Sequence, residues 1–142
     1  MSILFLLAVG IVPAGDNFEC TPIRVWDGDG PIWCAEGPHV RLSGIAAKEM
    51  DETCNVNQPC PDATAIEARD GLVRLIGQAT GASSEGHVLV RGPTMRCVSV
   101  GGAGGTRTAA WCVSPKGGDL SCAMVQSGLA LRWKRYWKGH RC

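Results

Sequence analysis

No stretch of the sequence is apolar for long enough to cross a bilayer. The longest such run, Ile3 to Val12, covers 10 residues, about half of what a membrane-spanning helix needs, so a bilayer-spanning helix is excluded. Charge is also scarce: 19% of residues are charged and the formal net charge is +1, which argues against a chain that coats nucleic acid through overall basicity. None of the cysteines falls in a Cys-x-x-Cys pair, which disfavours zinc. The glycine-rich stretch Gly101 to Gly105 lacks a Gly-Lys-Ser/Thr ending, and no serine stands in a Gly-x-Ser-x-Gly setting. Phosphate-loop and serine-nucleophile readings drop out. His39, His87 and His140 are scattered, with no cysteine or carboxylate at ligand spacing, and read as structural or surface histidines.

What is present describes one domain. The chain has 142 residues, 45% of them hydrophobic, enough to bury a real core and to exclude intrinsic disorder. Nineteen glycines and eight prolines call for many turns between short elements, not coiled coils or helical repeats. The Ile3–Val12 run suits the apolar region of a secretory signal, with Val12-Pro13-Ala14 as its cleavage pattern, so residues 1–14 are expected to be a signal peptide. The competing reading of that run is a buried first strand or helix. The folded domain is then expected over 18–142.

Eight cysteines, at 20, 34, 54, 60, 97, 112, 122 and 142, favour disulfides. Cys20 and Cys34 lie symmetrically about the Asp27-Gly28-Asp29-Gly30 turn, and Cys97 and Cys112 flank the Gly101–Gly105 loop in the same way. Two cross-strand staples follow. Cys54 with Cys60 closes a small loop, and Cys122 is left to tie a helix to the terminal Cys142. Together with the leader, this framework points to an oxidising compartment, the periplasm or the exterior.

The near-neutral net charge hides an asymmetry. Arg132, Lys134, Arg135, Lys138 and Arg141 place five cations in the last 11 residues. Trp133, Tyr136 and Trp137 interleave them, and bases stack on such rings while cations meet phosphates. Trp133, Arg135, Tyr136 and Trp137 are therefore candidate substrate-binding residues. The plainer alternative is a solvated C-terminal helix whose aromatics pack on the core.

Phe18 to Trp26 reads as a strand running up to an Asp-Gly turn, and Ile32 to Ala35 continues beyond it, a hairpin. His39 to Ile45 makes a third strand. The Asp51–Pro61 segment reads as an irregular loop. A helix begins at the capping box Thr64-Ala65-Ile66-Glu67, carries Ile66, Val73 and Ile76 near helical period, and stops at Gly77. His87–Val90 and Met95–Val100 read as one strand bent at Gly92-Pro93, with Arg107–Val113 as its hairpin partner. Asp119 caps a second helix ending at Gly128. Three strands, a helix, two strands and a helix predict an α+β fold, most economically a five-stranded OB-type barrel with two to three packed helices.

A phosphodiester hydrolase needs oxygen ligands for a hard cation, a carboxylate to activate water, and guanidinium groups for the phosphoryl oxygens. Asp27 and Asp29 sit at a turn between strands, Arg41 and Glu49 stand eight residues apart, and Arg107 opens a later strand. Taken singly, each has an ordinary explanation in hairpin or surface chemistry. As an ordered set, Trp26-Asp27-Gly28-Asp29, Arg41-Leu42-Ser43-Gly44-Ile45-Ala46-Ala47-Lys48-Glu49, Arg107 before Ala109-Ala110, Met124-Val125 and Gly128-Leu129-Ala130 resemble the staphylococcal nuclease-like (thermonuclease) family, from about Phe18 to Trp137.

That resemblance implies an OB barrel that cleaves single-stranded or frayed DNA and RNA using calcium, here as an exported, cysteine-bearing monomer. By position, Asp29 is implied as a calcium ligand, Arg41 and Arg107 as ligands of the scissile phosphate, and Glu49 as the general base. The sequence departs from the family pattern at Gly30, where threonine is usual, at Lys48, where proline is usual, and in lacking a tyrosine ahead of Arg107. Ala46 replaces a second calcium-ligating aspartate, which implies a weakened calcium site. The alternative is a catalytically degenerate module of the same fold that binds single-stranded nucleic acid or another extended anion without cleaving it.

Overall fold

A computed structural model describes residues 9–142. The remainder of the Ile3–Val12 run lies outside the described residues. The fold is α+β: a large, mainly antiparallel sheet and three short helices.

The first expected strand divides in two, β1 (Asn17–Cys20) and β2 (Pro22–Asp27), because the chain changes partners at Thr21-Pro22. β1 pairs with β8 (Met95–Gly102), whereas β2 pairs with β3 (Gly30–Cys34) and β7 (Val88–Arg91). The expected third strand is likewise β4 (His39–Leu42) and the short β5 (Ile45–Ala46), separated at Ser43-Gly44, where Gly44 has φ +76°. An L side chain is strained there. The hydrogen-bonded path runs β1-β8-β9-β4-β3-β2-β7-β6, with β9 (Arg107–Ser114) parallel to β4 and β6 (Gln78–Ala82) at one end. The short β10 (Gly118–Asp119) joins β9, so the sheet has nine strands where five were expected. β7 and β8 flank the Gly92-Pro93 bend, as the sequence suggested.

The helix α1 (Ala65–Ile76) begins with the full capping box, in which Thr64 and Glu67 exchange side-chain-to-backbone bonds, and its Gly77 N–H closes on Val73. Its buried face is Ala65, Ala68, Leu72, Val73 and Ile76, while Ile66, expected on that face, points to solvent. α2 (Leu120–Gln126) is capped by Asp119, whose side chain accepts from the Cys122 N–H. Together they cover a core that includes Val25, Ile32, Val40, Leu42, Leu72, Ile76, Met95, Leu120 and Met124. A two-stranded ribbon of β5 and β11 (Leu131–Arg132) then leads the chain back beside β4, ahead of the one-turn helix α3 (Lys134–Trp137).

The cystines are Cys20–Cys34, Cys54–Cys60, Cys97–Cys112 and Cys122–Cys142, the pairing read from the turns. Cys97 and Cys112 are directly opposite on β8 and β9. Four disulfides suit an oxidising compartment. Among the described residues, no helix is long and apolar enough to cross a membrane.

Part of the expected leader belongs to the packed structure. The Val12 N–H donates to Thr108 Oγ1 at 3.1 Å, and Val12 O accepts from Ser99 Oγ at 2.7 Å. Both side chains are buried. Gly15 and Asp16 exchange backbone bonds with Ser99.

Candidate active site

Gly28 and Asp29 form the turn between β2 and β3, and the Asp29 N–H donates to Asp27 Oδ1 at 3.1 Å, the side chain closing the turn on itself. A Cβ at Gly28 would stand 2.5 Å from the Ala68 Cβ and 2.9 Å from the Ala47 Cβ. The turn is therefore pressed between α1 and the segment after β5, which leaves Asp27 only 3% and Asp29 only 5% exposed.

Arg41 projects from β4 toward this turn. Its Nη1 donates to the carbonyls of Leu42 at 2.6 Å and Ile45 at 2.9 Å, and its Nη2 lies 3.4 Å from Asp29 Oδ2. The same Asp29 oxygen accepts the Ala47 N–H at 3.0 Å. The guanidinium carbon is 5.8 Å from the centre of the Trp133 ring, and Trp133 is fixed by its N–H to the Gly44 carbonyl at 2.7 Å. The Ser43-Gly44 break in the expected strand thus supplies the carbonyl that seats an aromatic beside Arg41.

Glu49 occupies a turn closed by its own N–H to Thr53 O and by the Glu52 N–H to Glu49 O. Asn55 Nδ2 donates to Glu49 Oε1 at 3.3 Å. Asn55 follows Cys54 at the start of the small cystine loop, so the disulfide helps hold the amide against the carboxylate. Sequence reasoning missed this contact, because nothing in the composition of an irregular loop marks which amide will turn inward.

Burial first, then the neighbouring Asp29 charge and a hydrogen bond with Asp29, push the Asp27 carboxyl up to about 10. Burial and the Asp29 charge also raise Glu49 above its ordinary value, opposed by a hydrogen bond with Asp27 and by the Arg41 charge. A carboxylate raised in this way is a stronger base than one in water, as proton abstraction requires.

Asp27, Asp29, Arg41, Glu49 and Arg107 all line one cavity of about 650 Å³, together with Trp133, Tyr136 and Lys138. Arg107 is held by its Nη2 and Nε, which donate to the carbonyls of Ala103 and Gly104 in the β8–β9 tip. The other candidates fall outside. Trp137 is 7% exposed and packs edge-on against Trp111 with ring centres 5.5 Å apart, which makes it a core residue. Arg135 is exposed and sits over the Tyr136 ring at 5.4 Å. The tail is therefore mixed: two of its aromatics face the cavity and one builds the core. Lys138, whose left-handed φ of +50° ends α3, was noted only as one of the tail's cations.

The donor set does not make a calcium cage, which takes six to eight oxygens. Ala46 is fully buried and offers no side-chain oxygen, and Asp29 Oδ2 is already met by the Arg41 guanidinium and the Ala47 N–H. Among the described residues, the group of three potential ligands whose atoms lie within 4.8 Å of one another is Asp119, Cys122 and His140, and Cys122 is tied up in its disulfide. There His140 Nε2 meets Asp119 Oδ2 at 2.6 Å while its ring stacks on Trp111 at 3.7 Å, a clasp for the C-terminus built from residues 21 apart in sequence.

Comparison of the chain with protein-family models, with curated proteins and with solved structures gave no match. The arrangement of the site therefore carries the functional reading.

Proposed function

We propose that the chain is an exported phosphodiesterase of the thermonuclease type that hydrolyses single-stranded DNA or RNA in the cavity between the β2–β3 turn and the β8–β9 tip. The observation that carries this reading is the convergence on one cavity of two arginines and a base-strengthened glutamate, with two aromatics at its wall. Glu49 takes a proton from the attacking water, whose oxygen bonds to phosphorus as the P–O bond to the departing sugar oxygen breaks, and that oxygen takes its proton from solvent. Arg41 and Arg107 hold the phosphoryl oxygens and stabilise the charge that builds on them, a task for which a planar fork suits better than an ammonium. Asp29 and the two carbonyls fix the Arg41 fork before substrate arrives. Trp133 and Tyr136 offer faces to the bases. The reading assigns no step to calcium.

An OB-type barrel is part of the same proposal. What supports it is that β7 and β8, separated only by the Gly92-Pro93 bend and Thr94, pair with β2 and β9 respectively, the two ends of the run β2-β3-β4-β9. Release to the periplasm or the exterior completes it, supported by the cystines; the Val12 bonds to buried Ser99 and Thr108 set residue 12 in the folded domain and not in a removed leader.

The test is hydrolysis of single-stranded DNA by the oxidised protein, in calcium, in magnesium and in chelator, alongside Glu49→Gln and Arg41→Lys. Loss of ~100-fold or more in Glu49→Gln is expected for a general base. Equal rates in wild type and Glu49→Gln would reject the assignment. The buried Ala46 favours a second reading, a module that binds a single strand without cleaving it. Salt-sensitive, saturable binding with no turnover under any of the three conditions selects it.

A further inference from the structure

Beside the cavity, on the outer face of the sheet, four aromatic rings stand together. Arg24, Trp33, His39 and Arg107 are successive neighbours across β2, β3, β4 and β9. Trp33 and His39 stack at 4.1 Å and 11°, and the Arg24 guanidinium lies 5.0 Å from the Trp33 ring centre. Trp26 and His87 pack edge-on at 5.2 Å, and His87 reaches Trp33 at 5.0 Å. The rings wall a shallow trough of about 510 Å³ that has no carboxylate in its lining and shares Trp26, Pro31 and Arg107 with the first cavity. Burial, with His87 beside His39 and Arg24 beside His87, holds both imidazoles below their ordinary value, against the pull of the Glu85 carboxylate on His87.

The core does not explain this cluster. The inner faces of β2, β3 and β4 are filled by Val25, Ile32, Val40 and Leu42, and an outward row on a solvated sheet face is ordinarily polar. Two tryptophans and two histidines there, with Arg107 at one end of the row and Arg24, paired with Glu85 at 3.7 Å, at the other, match the chemistry that receives unpaired bases: flat rings for the base and the Arg107 guanidinium for the backbone beside it.

We propose that the Trp26–Trp33–His39–His87 trough is a second nucleotide subsite, which takes a base of the strand whose phosphate is gripped by Arg107 at the boundary of the two cavities. It rests on the proposed function for the identity of the ligand but not on hydrolysis. The substrate is then a strand of at least two nucleotides, and recognition is by ring stacking with little sequence preference.

The test uses the full oxidised protein carrying Glu49→Gln, so that ligands survive. Binding of a short oligothymidylate and of an abasic oligomer of equal charge is measured in this background and again with Trp33→Ala or Trp33→Phe added. The expected result is an advantage of roughly tenfold or more for the base-bearing strand, cut several-fold in Trp33→Ala to the part that Trp133 and Tyr136 supply, largely kept in Trp33→Phe, with abasic binding unchanged. Equal binding of the two oligomers, or an advantage that Trp33→Ala leaves undiminished, overturns the subsite and leaves hydrolysis standing. Base-dependent binding at this trough in a wild-type protein that never cleaves supports the subsite and rejects hydrolysis. Binding of neither oligomer overturns both. Circular dichroism of Trp33→Ala separates misfolding from lost binding; if it unfolds, Trp33→Phe against Trp26→Ala decides by the same criterion.

Discussion

Replacing Arg41 by methionine removes the guanidinium but keeps much of its stem. Three contacts go: the ion pair to Asp29 at 3.4 Å and the bonds to the carbonyls of Leu42 and Ile45. The side chains of Arg41 and Asp29 are only 15% and 8% exposed, so water does little to screen the loss. Removing one partner of a buried pair costs about 3–5 kcal/mol, because the survivor stays buried and uncompensated. Asp29 keeps the Ala47 N–H, which puts the expected cost of Arg41→Met at the lower end, about 3 kcal/mol.

Asp29→Asn has the opposite balance. The amide retains an acceptor for the Ala47 N–H and loses its attraction for Arg41, whose guanidinium keeps the Leu42 and Ile45 carbonyls, so a cost of about 1 kcal/mol is expected. In the double variant neither charge is left stranded. Its cost falls short of the sum of the singles by about 1–2 kcal/mol. Urea unfolding at neutral pH measures all three, provided the slope with denaturant stays constant. Additivity within about 0.5 kcal/mol, or a loss below about 1 kcal/mol in Arg41→Met, would show that the pair is solvated and that Arg41 is not pre-fixed by the fold.

Three further outcomes are expected. Glu36 accepts the Thr21 N–H at 2.6 Å and the Thr21 hydroxyl at 2.7 Å; partial burial tends to raise its carboxyl, but the Thr21 bonds hold it below the ordinary value. Its stabilisation is thus complete above the unfolded carboxylate range and vanishes as pH falls through the folded value, so Glu36→Gln is less stable by about 0.5–1 kcal/mol at pH 7 and equal to wild type in strong acid; a pH-independent gap in thermal unfolding contradicts this. Replacing Cys54 and Cys60 by serine costs about 2 kcal/mol from loop entropy and frees Asn55 from Glu49, so kcat on single-stranded DNA falls while KM holds; unchanged kcat rejects the positioning role of the loop. A chain starting at Gly15 loses the Val12 partners of buried Ser99 and Thr108 and is less stable than one starting at Gly10 by about 1–3 kcal/mol, which the urea midpoints of the two chains compare directly.

Local chemistry made much of this legible. The turns predicted Cys97–Cys112 because the two lie opposite each other on the β8–β9 hairpin, whereas Cys20, opposite Met95 on β8, reaches Cys34 from beyond the end of the β2–β3 hairpin; the Thr64–Glu67 box predicted the start of α1 because both of its bonds are made within four residues. What failed depends on distance. β6, with all five residues exposed, carries no apolar alternation and exists only because β7 presents an edge to it. The division of the first strand at Thr21-Pro22 follows from two different partners, β8 and β3, that no local pattern names. Trp137 and Trp133 stand four apart in one basic segment, yet one enters the core and the other lines the cavity, since the β5–β11 ribbon and the Trp111 ring fix the rotation of that segment. The acids and arginines of the site were found by residue type and order; Asn55 and Lys138 needed coordinates.

The two halves of the proposed site differ in what holds them, and that difference bears on what the alanine at position 46 means for it. A metal cage depends on each carboxylate in turn, so losing one oxygen donor weakens the whole. The anion grip does not. Arg41 is anchored by two main-chain carbonyls and Arg107 by two more, and main-chain acceptors persist through any side-chain substitution that keeps the turn. Asp29 serves this grip as the counter-charge of Arg41 and as the acceptor of the Ala47 N–H, whether or not a cation is ever near it. In the proposed function, phosphate recognition is thereby built into the backbone of β4, the β5 turn and the β8–β9 tip, while Glu49, the proposed base, leans on a single amide in a disulfide-closed loop. If the chain binds a strand without cleaving it, the proposed fault lies at Glu49 and its loop, and Ala46→Asp alone is expected not to give turnover while Arg41 holds Asp29.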